Sequence, residues 1–250
     1  MIITNPAFYA VAVPAVLLLG ISKSGFGAGF GALAVPLMAL AVPVPQAAAI
    51  LLPVLAIIDG LGLKALWRER DAPLLRLLLP AGLVGSMIGF GLFSLLSART
   101  VAAMVGALTL AFLAIRTIRP PRADAPPPAR WLGRVLAAVS GFTSFVAHAG
   151  GPPVGFYVLP LKLAPVRFTA TMAVYFAAIN ASKWLPYAWL GLIDGANLGT
   201  SLVLAPLAPM GVWIGVRVVR VMPQALFYRV FNVGLLLTGT KLLWDGLRIG

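Results

Sequence analysis

The sequence predicts an all-α polytopic membrane protein with two inverted-topology repeats, each made of one broken, re-entrant helical segment plus three transmembrane helices. Composition and apolar runs fix the broad class. Of the 250 residues, 61% are hydrophobic and only 10% charged, whereas soluble proteins carry roughly 25% charged residues. Continuous apolar runs recur at the length that a ~30 Å hydrocarbon layer requires. Soluble enzyme folds are therefore excluded, and so is a membrane β-barrel, whose strands alternate in polarity.

Two of the eight apolar segments are interrupted in the middle. In chain order the segments are 6–42, 45–63, 74–96, 98–115, 131–163, 166–190, 196–216 and 225–247. Segments 6–42 and 131–163 contain clusters of glycine, joined in the second by proline, and such clusters break helices. In a membrane, broken backbone survives only where protein or a wet cavity satisfies it. Each of these segments is therefore predicted to be a broken helix.

The two broken segments occupy matching places in two halves of the chain. The Val-Pro-Leu at 35–37 recurs as Leu-Pro-Leu at 159–161, and Gly85 and Gly89 recur as Gly211 and Gly215. We therefore predict a first membrane repeat at 1–118 and a second at 130–250. The polar, Pro-rich stretch 119–129 between them is predicted to be an extended cytoplasmic linker.

The basic residues predict how the broken segments lie in the membrane. If each segment crossed once, 10 basic residues would lie in inside loops and 6 in outside loops. If each is a re-entrant hairpin, the loops at 64–76, 116–134, 162–167 and 217–229 hold 14 basic residues inside, against two outside. The hairpin arrangement obeys the positive-inside rule far better. It gives three crossings per repeat, an inverted second repeat and both termini outside the cytoplasm, as in many secondary transporters.

Charge and composition also limit the partners. The net charge of +13 comes from short loops between apolar runs, which indicates an inner (plasma) membrane protein facing anionic lipid rather than a nucleic-acid binder. The absence of cysteine, with one histidine and six carboxylates, leaves no metal or cofactor site to predict. The first 20 residues lack the features of a cleaved signal peptide. Monomer and homodimer both remain open.

Candidate binding residues cluster at the two helix breaks. A helix that restarts near the membrane centre points free N–H groups and a positive dipole end at the break, which favours an anion. The predicted substrate-binding residues are Ser22, Lys23, Ser24, Gly25 and Gly27 at the first break, and Thr143, Ser144, His148, Gly150 and Gly151 at the second. The alternative is that the glycines serve only helix packing.

The ionisable candidates each have two interpretations. Lys23 either attracts the anion or extends to the outer interface, because a charge at bilayer depth costs at least ~2.5 kcal/mol. His148, with an ordinary pKa of about 6.5, either couples transport to protons or pins the break to a backbone carbonyl. Asp59 and Lys183 occupy equivalent positions, are not expected to pair with each other, and either line an access path or lie at the interface.

The motifs at the breaks resemble those of a known family. They run from Gly25 to Pro36 in the first half, and in the second include Gly141-Phe-Thr-Ser-Phe145 and Gly150-Gly-Pro-Pro153, leading to Pro160. Over essentially its whole length the sequence resembles the TauE/SafE sulfite exporter family of membrane permeases. The resemblance implies a transporter, not an enzyme, that exports a small sulfur-containing anion, sulfite or an organosulfonate such as sulfoacetate. A His148 side chain that titrates would also be a suitable partner for sulfite and bisulfite.

Two other functions stay open at this stage. An anion channel would use the same site without alternating access. An intramembrane hydrolase or lipid phosphatase would pair Ser24 or Ser144 with His148, although the sequence has no G-x-S-x-G motif and no clustered carboxylates. The sequence also lacks an ATP-binding motif, so direct ATP drive by this chain is not expected.

Overall fold

The computed structural model describes residues 2–27, 31–93, 95, 97–118 and 127–247. Within these ranges the chain is helical and contains no strand, which confirms the all-α class. The helices are α1 Pro6–Gly25, α2 Ala34–Met38, α3 Val44–Leu66, α4 Ala72–Leu92, α5 Ala98–Ile118, α6 Arg130–Ala147, α7 Gly151–Val158, α8 Pro165–Ser182, α9 Trp184–Trp189, α10 Gly195–Leu204, α11 Leu207–Val221 and α12 Gln224–Leu247. Short 3₁₀ turns lie at Gly31–Leu33, Trp67–Glu69 and Leu159–Leu161.

Several of these helices can cross a membrane. Among the described residues, three are long and apolar enough to do so: Pro6–Gly25, Gln46–Glu69 and Ala72–Leu92. The pair α10 and α11, bent by 49° at the break between them, qualifies as a fourth. Apolar helices of this length establish a multi-pass membrane protein. Three crossings per repeat remain a prediction. Most of the predicted linker, residues 119–126, lies outside the described ranges, and so does Arg248.

The first broken segment reverses its direction after α1. Gly27 adopts a left-handed backbone with φ of +73°, which glycine accepts without strain. Residues 28–30 lie outside the described part of the chain. At Gly31 the backbone again lies beside α1, since an added Cβ would be 3.4 Å from Leu19 and 3.7 Å from the Ser22 hydroxyl. The short α2 then packs against α1.

The second broken segment reverses more sharply, at His148. This residue ends α6 in a left-handed conformation, φ +51°, and its N–H and that of Ala149 bond to the carbonyls of Ser144 and Thr143. These bonds satisfy carbonyls at the helix end, as a C-terminal cap does. Helix α7 then runs back along α6, which brings Tyr157 against Gly133. Each predicted break is thus a reversal of the chain.

Glycines join each half of the chain to the other. Helix α11 packs on α1, where an added Cβ on Gly20 would lie 3.0 Å from the Gly211 backbone. Helix α4 packs on α6 in the same way, and a Cβ on Gly85 would overlap the Ala138 carbonyl. Small residues permit such close backbone approach in membrane helices. The broken helix of each half therefore packs on a glycine-bearing helix of the other half. Other pairs between the halves, among them α5 with α12 and α3 with α8, add to these contacts.

Candidate functional site

The two breaks meet around one small cavity, here named the tip cavity. Its volume is about 40 Å³, room for a few water molecules. Both breaks contribute to its wall, together with α3 and α8. The lining residues are Leu19, Lys23, Gly31, Leu55, Ser144, His148, Gly150, Gly151, Phe176 and Asn180. Five of the ten predicted binding residues thus share one cavity, although they lie in opposite halves of the sequence.

Lys23 lies in the last turn of α1 and is paired inside the protein. Its ammonium forms an ion pair with Asp59 of α3, and both residues are buried. The other carboxylate oxygen of Asp59 accepts a hydrogen bond of 2.8 Å from the Nδ2 amide of Asn180 on α8. A buried charge is tolerated where its partner and hydrogen bonds are in place. Lys23 therefore lies at the cavity with its counter-charge rather than at an interface.

Lys183 follows α8 and is fully buried. Its Nζ donates to the Ser144 carbonyl oxygen at 2.7 Å and to the Ser144 hydroxyl at 2.9 Å. No carboxylate lies within ion-pair distance of it in the part of the chain that the structure describes. An ammonium has three N–H donors, so one remains for another acceptor. As expected, Lys183 and Asp59 do not pair: each contacts the broken helix of its own half.

His148 is held by Tyr187 of α9. The distance from His148 Nε2 to the Tyr187 hydroxyl is 3.0 Å, and that hydroxyl lies 3.1 Å from the Phe145 carbonyl oxygen. Since a carbonyl only accepts, the single hydroxyl proton is donated to Phe145, and the histidine Nε2–H donates to the hydroxyl. In the neutral ring this assigns Nδ1 as the free acceptor. A proton taken up by His148 would consequently reside on Nδ1.

The remaining predicted residues do not line the tip cavity. Gly25 packs on Gly215, and a side chain on Gly27 would contact Phe168. The Thr143 hydroxyl donates within the break, with carbonyl oxygens of Val139 at 2.9 Å and Ala149 at 3.2 Å. These three residues therefore shape the two reversals without facing the cavity.

The two serines of α1 also lie outside the cavity lining. Ser22 is buried beside Gly31. Ser24 is buried too, and its hydroxyl has no hydrogen-bond partner among the described residues. That hydroxyl lies 3.7 Å from where a Cβ on Gly62 would be, so it points toward α3.

Backbone amides contribute less at the second break than the glycine pattern suggests. Gly150 and Gly151 line the tip cavity, and α7 begins there without a side-chain cap. The next two residues, Pro152 and Pro153, carry no N–H. Few free amides are thus available in the first turn of α7, and the charged side chains around the cavity carry more of its positive potential.

Asn180 and Tyr187 are functional candidates that sequence reasoning missed. Asn180 holds Asp59 and Tyr187 holds His148, whereas Tyr175 on the same helix as Asn180 bonds to the Ala137 carbonyl oxygen at 2.9 Å. The sequence signal that could have found them is spacing. Positions 180 and 183 are three residues apart and positions 183 and 187 are four apart, which places their polar groups on one helical face. A polar stripe in an apolar segment indicates a buried site.

Other chemistry has little support in the geometry. In the described part of the chain, no three His, Cys, Asp or Glu side chains come together to hold a metal ion. No hydrogen bond joins Ser24 or Ser144 to His148 there either, since Ser144 accepts from Lys183 and His148 donates to Tyr187. The Ser–His pair that a hydrolase needs is thus not formed.

Comparison with known families decides the class. A sequence model described as "Sulfite exporter TauE/SafE" matches residues 12–242, nearly the whole chain. The chain belongs to the TauE/SafE sulfite exporter family. This confirms the resemblance carried by the glycine motifs, and makes the chain a multi-pass protein of a membrane transporter family. Neither the curated proteins nor the solved structures contain a significant match to it.

Proposed function

We propose that this TauE/SafE chain is a secondary transporter that exports a small sulfur oxyanion through the tip cavity. The substrate class is sulfite or an organosulfonate such as sulfoacetate. The observation that supports it best is a buried charge cluster around a cavity built from both halves. Lys23 lines the cavity and pairs with Asp59 behind it, and Lys183 bonds to Ser144, which also lines it. With a neutral histidine, these side chains leave one positive charge uncompensated, and a low-dielectric pocket focuses that charge on an anion.

Asp59 serves as the internal counter-ion while the site is empty. Its carboxylate is paired with the Lys23 ammonium, so an arriving anion competes with the carboxylate for that ammonium. Lys183 has no carboxylate partner among the described residues, and its positive charge acts on the incoming anion from behind Ser144, to which it donates. Asn180 holds the second oxygen of Asp59 and keeps the displaced carboxylate satisfied. Release of the anion restores the ion pair, which keeps binding reversible.

His148 couples the anion to a proton. In its neutral form Nδ1 is an acceptor, which repels an oxyanion, whereas a protonated ring donates there instead. The charged and titratable groups around His148 are Lys23 on α1, Asp59 on α3, Lys183 after α8 and the hydroxyl of Tyr187 on α9. An anion bound beside the two lysines supplies the negative charge that stabilises the added proton. Anion and proton then move together.

Alternating access follows from two halves that are inverted in the membrane. The reciprocal packing of α1 on α11 and of α6 on α4 supports this arrangement, because a two-fold relation between halves exchanges those pairs. Inverted repeats commonly rock one bundle against another around a fixed site. A channel would conduct without saturation or exchange, so counterflow separates the two: preloaded unlabelled sulfite accelerates uptake of labelled sulfite by a carrier only.

The proposed site is tested by flux in proteoliposomes. Lys23→Met and Lys183→Met should each lower sulfite transport more than tenfold, because each removes a positive charge at or directly behind the cavity wall and leaves its partner, Asp59 or Ser144, unpaired. Lys241→Met is the matched control, since Lys241 pairs with Asp245 within α12 at 2.5 Å, away from the cavity; it should stay within twofold of wild type. Wild-type flux in both cavity variants would place the site elsewhere.

A further inference from the structure

A second and larger cavity opens beside the first turns of α4 and α6. Its volume is about 530 Å³, and Arg76, Arg130, Arg134, Asp71 and Tyr157 are among the residues that line it. It is named here the arginine cavity. The loops that lead into these two helices, at 64–76 and 116–134, are the ones that the charge pattern predicts to be cytoplasmic. An exported anion would meet this face first.

The charge of the arginine cavity is strongly positive. Its carboxylate, Asp71, is already engaged: one oxygen caps α4 through the Leu74 N–H at 3.0 Å, and the other pairs with Arg167 at 2.9 Å. The three lining arginines form no ion pair within the described ranges. Guanidinium groups present a planar fork that matches sulfonate and phosphate oxygens. Three guanidinium groups without a counter-charge, arranged around one opening, suit an oxyanion.

Tyr157 adds a further donor to the arginine cavity. Its side chain is only 4% exposed and its ring packs on Gly133, whose added Cβ would lie 2.6 Å from Tyr157 Cζ. Its hydroxyl has no hydrogen-bond partner among the described residues and lines the cavity, so it can donate to a ligand there. Helix α6 also begins here without a side-chain cap. Donors therefore converge from Tyr157, the α6 terminus and the arginines.

We propose that the arginine cavity is an oxyanion site that loads the exported sulfonate or sulfite before it reaches the tip cavity. The loading role rests on the proposed function, whereas the oxyanion chemistry stands on the residues themselves. The phosphate head group of an anionic lipid has the same chemistry, so a test must separate a free anion from lipid.

Protection of arginines from phenylglyoxal, read by mass spectrometry on the purified chain, provides that test. The probe is sulfoacetate, with the protein in nanodiscs of zwitterionic lipid alone. Sulfoacetate should slow modification of Arg76, Arg130 and Arg134 at least fivefold, and Tyr157→Phe should weaken that protection. Arg99, exposed at the start of α5, is the internal control and should react at an unchanged rate.

Two comparisons fix the interpretation. Lys23→Met impairs binding at the tip cavity, so protection that persists in this variant shows that the arginine cavity is a separate site. If the transport proposal alone fails, sulfoacetate flux is absent while the protection of the arginines remains. Protection that requires phosphatidylglycerol in the nanodisc and is indifferent to sulfoacetate overturns the loading role in favour of a lipid site. The absence of protection by either probe overturns the oxyanion site.

Discussion

Lys23 and Asp59 form an ion pair beside the tip cavity. Both side chains are buried, and a buried ion pair gains little stability overall because desolvation offsets the attraction of the charges. Removing one partner is different, because it strands the other charge without compensation. Each residue therefore stabilises the other, and under the proposed function a substrate anion would replace the carboxylate beside Lys23.

Asp59→Asn tests this substitution at the residue scale. It should destabilise the anion-free protein by about 3–5 kcal/mol, the typical cost of breaking a buried pair. Added sulfite should recover part of the loss by giving Lys23 a new counter-charge. Thermal unfolding of the detergent-purified variant with and without sulfite measures both effects, with Asp245→Asn as the control. Equal sulfite-induced shifts in Asp59→Asn and wild type would argue against competition for Lys23.

His148→Gln tests the proton role. Because protonation turns Nδ1 from acceptor into donor, wild-type sulfite transport should rise as the pH falls through the range in which the ring takes up its proton. Glutamine keeps a polar group but does not titrate, so its pH profile should be flat apart from the titration of sulfite itself. Parallel measurement with sulfoacetate, whose sulfonate does not titrate in this range, removes that contribution. An unaltered profile in the variant would leave His148 a purely structural cap.

The breaks that follow α1 and α6 could be predicted at the element scale, but the partners of the side chains at those breaks could not. Clustered glycines mark where a helix cannot continue, and that is a local property of the sequence. The contact of Lys23 with Asp59 depends instead on how α1 packs against α3, and sequence symmetry relates Asp59 to Lys183 without revealing the partner of either. Asn180 shows the same limit: its amide looks like a packing group until α8 is placed beside α3.

The glycine contacts between helices supply a matched pair of variants on one helix. Gly85→Ala should strongly lower the folding yield or the thermal stability, because the alanine Cβ would overlap the Ala138 carbonyl of α6. Gly91→Ala should be neutral or stabilising by up to about 1 kcal/mol, since nothing lies within 4 Å of its Cβ position and alanine favours helix. Fluorescence-detected size exclusion during heating compares the two. Equal stability of both would mean that α4 does not approach α6 so closely.

The arrangement of the whole molecule in the membrane is tested by single cysteines, which can be added freely because the chain has none. The charge pattern predicts that Pro165→Cys, at the start of α8, reacts with an impermeant maleimide only from the cytoplasmic side. Ser97→Cys, just before α5, should react only from the opposite side. Labelling of position 165 from outside alone would contradict the hairpin arrangement of 131–163.

The packing of α11 on α1 and of α4 on α6 also has a consequence for biogenesis. Helix α1 must wait for α11, which is synthesised much later, and α4 exposes its glycine face until α6 is translated. The first half therefore cannot complete its packing during insertion, and lipid or an insertase must cover those faces meanwhile.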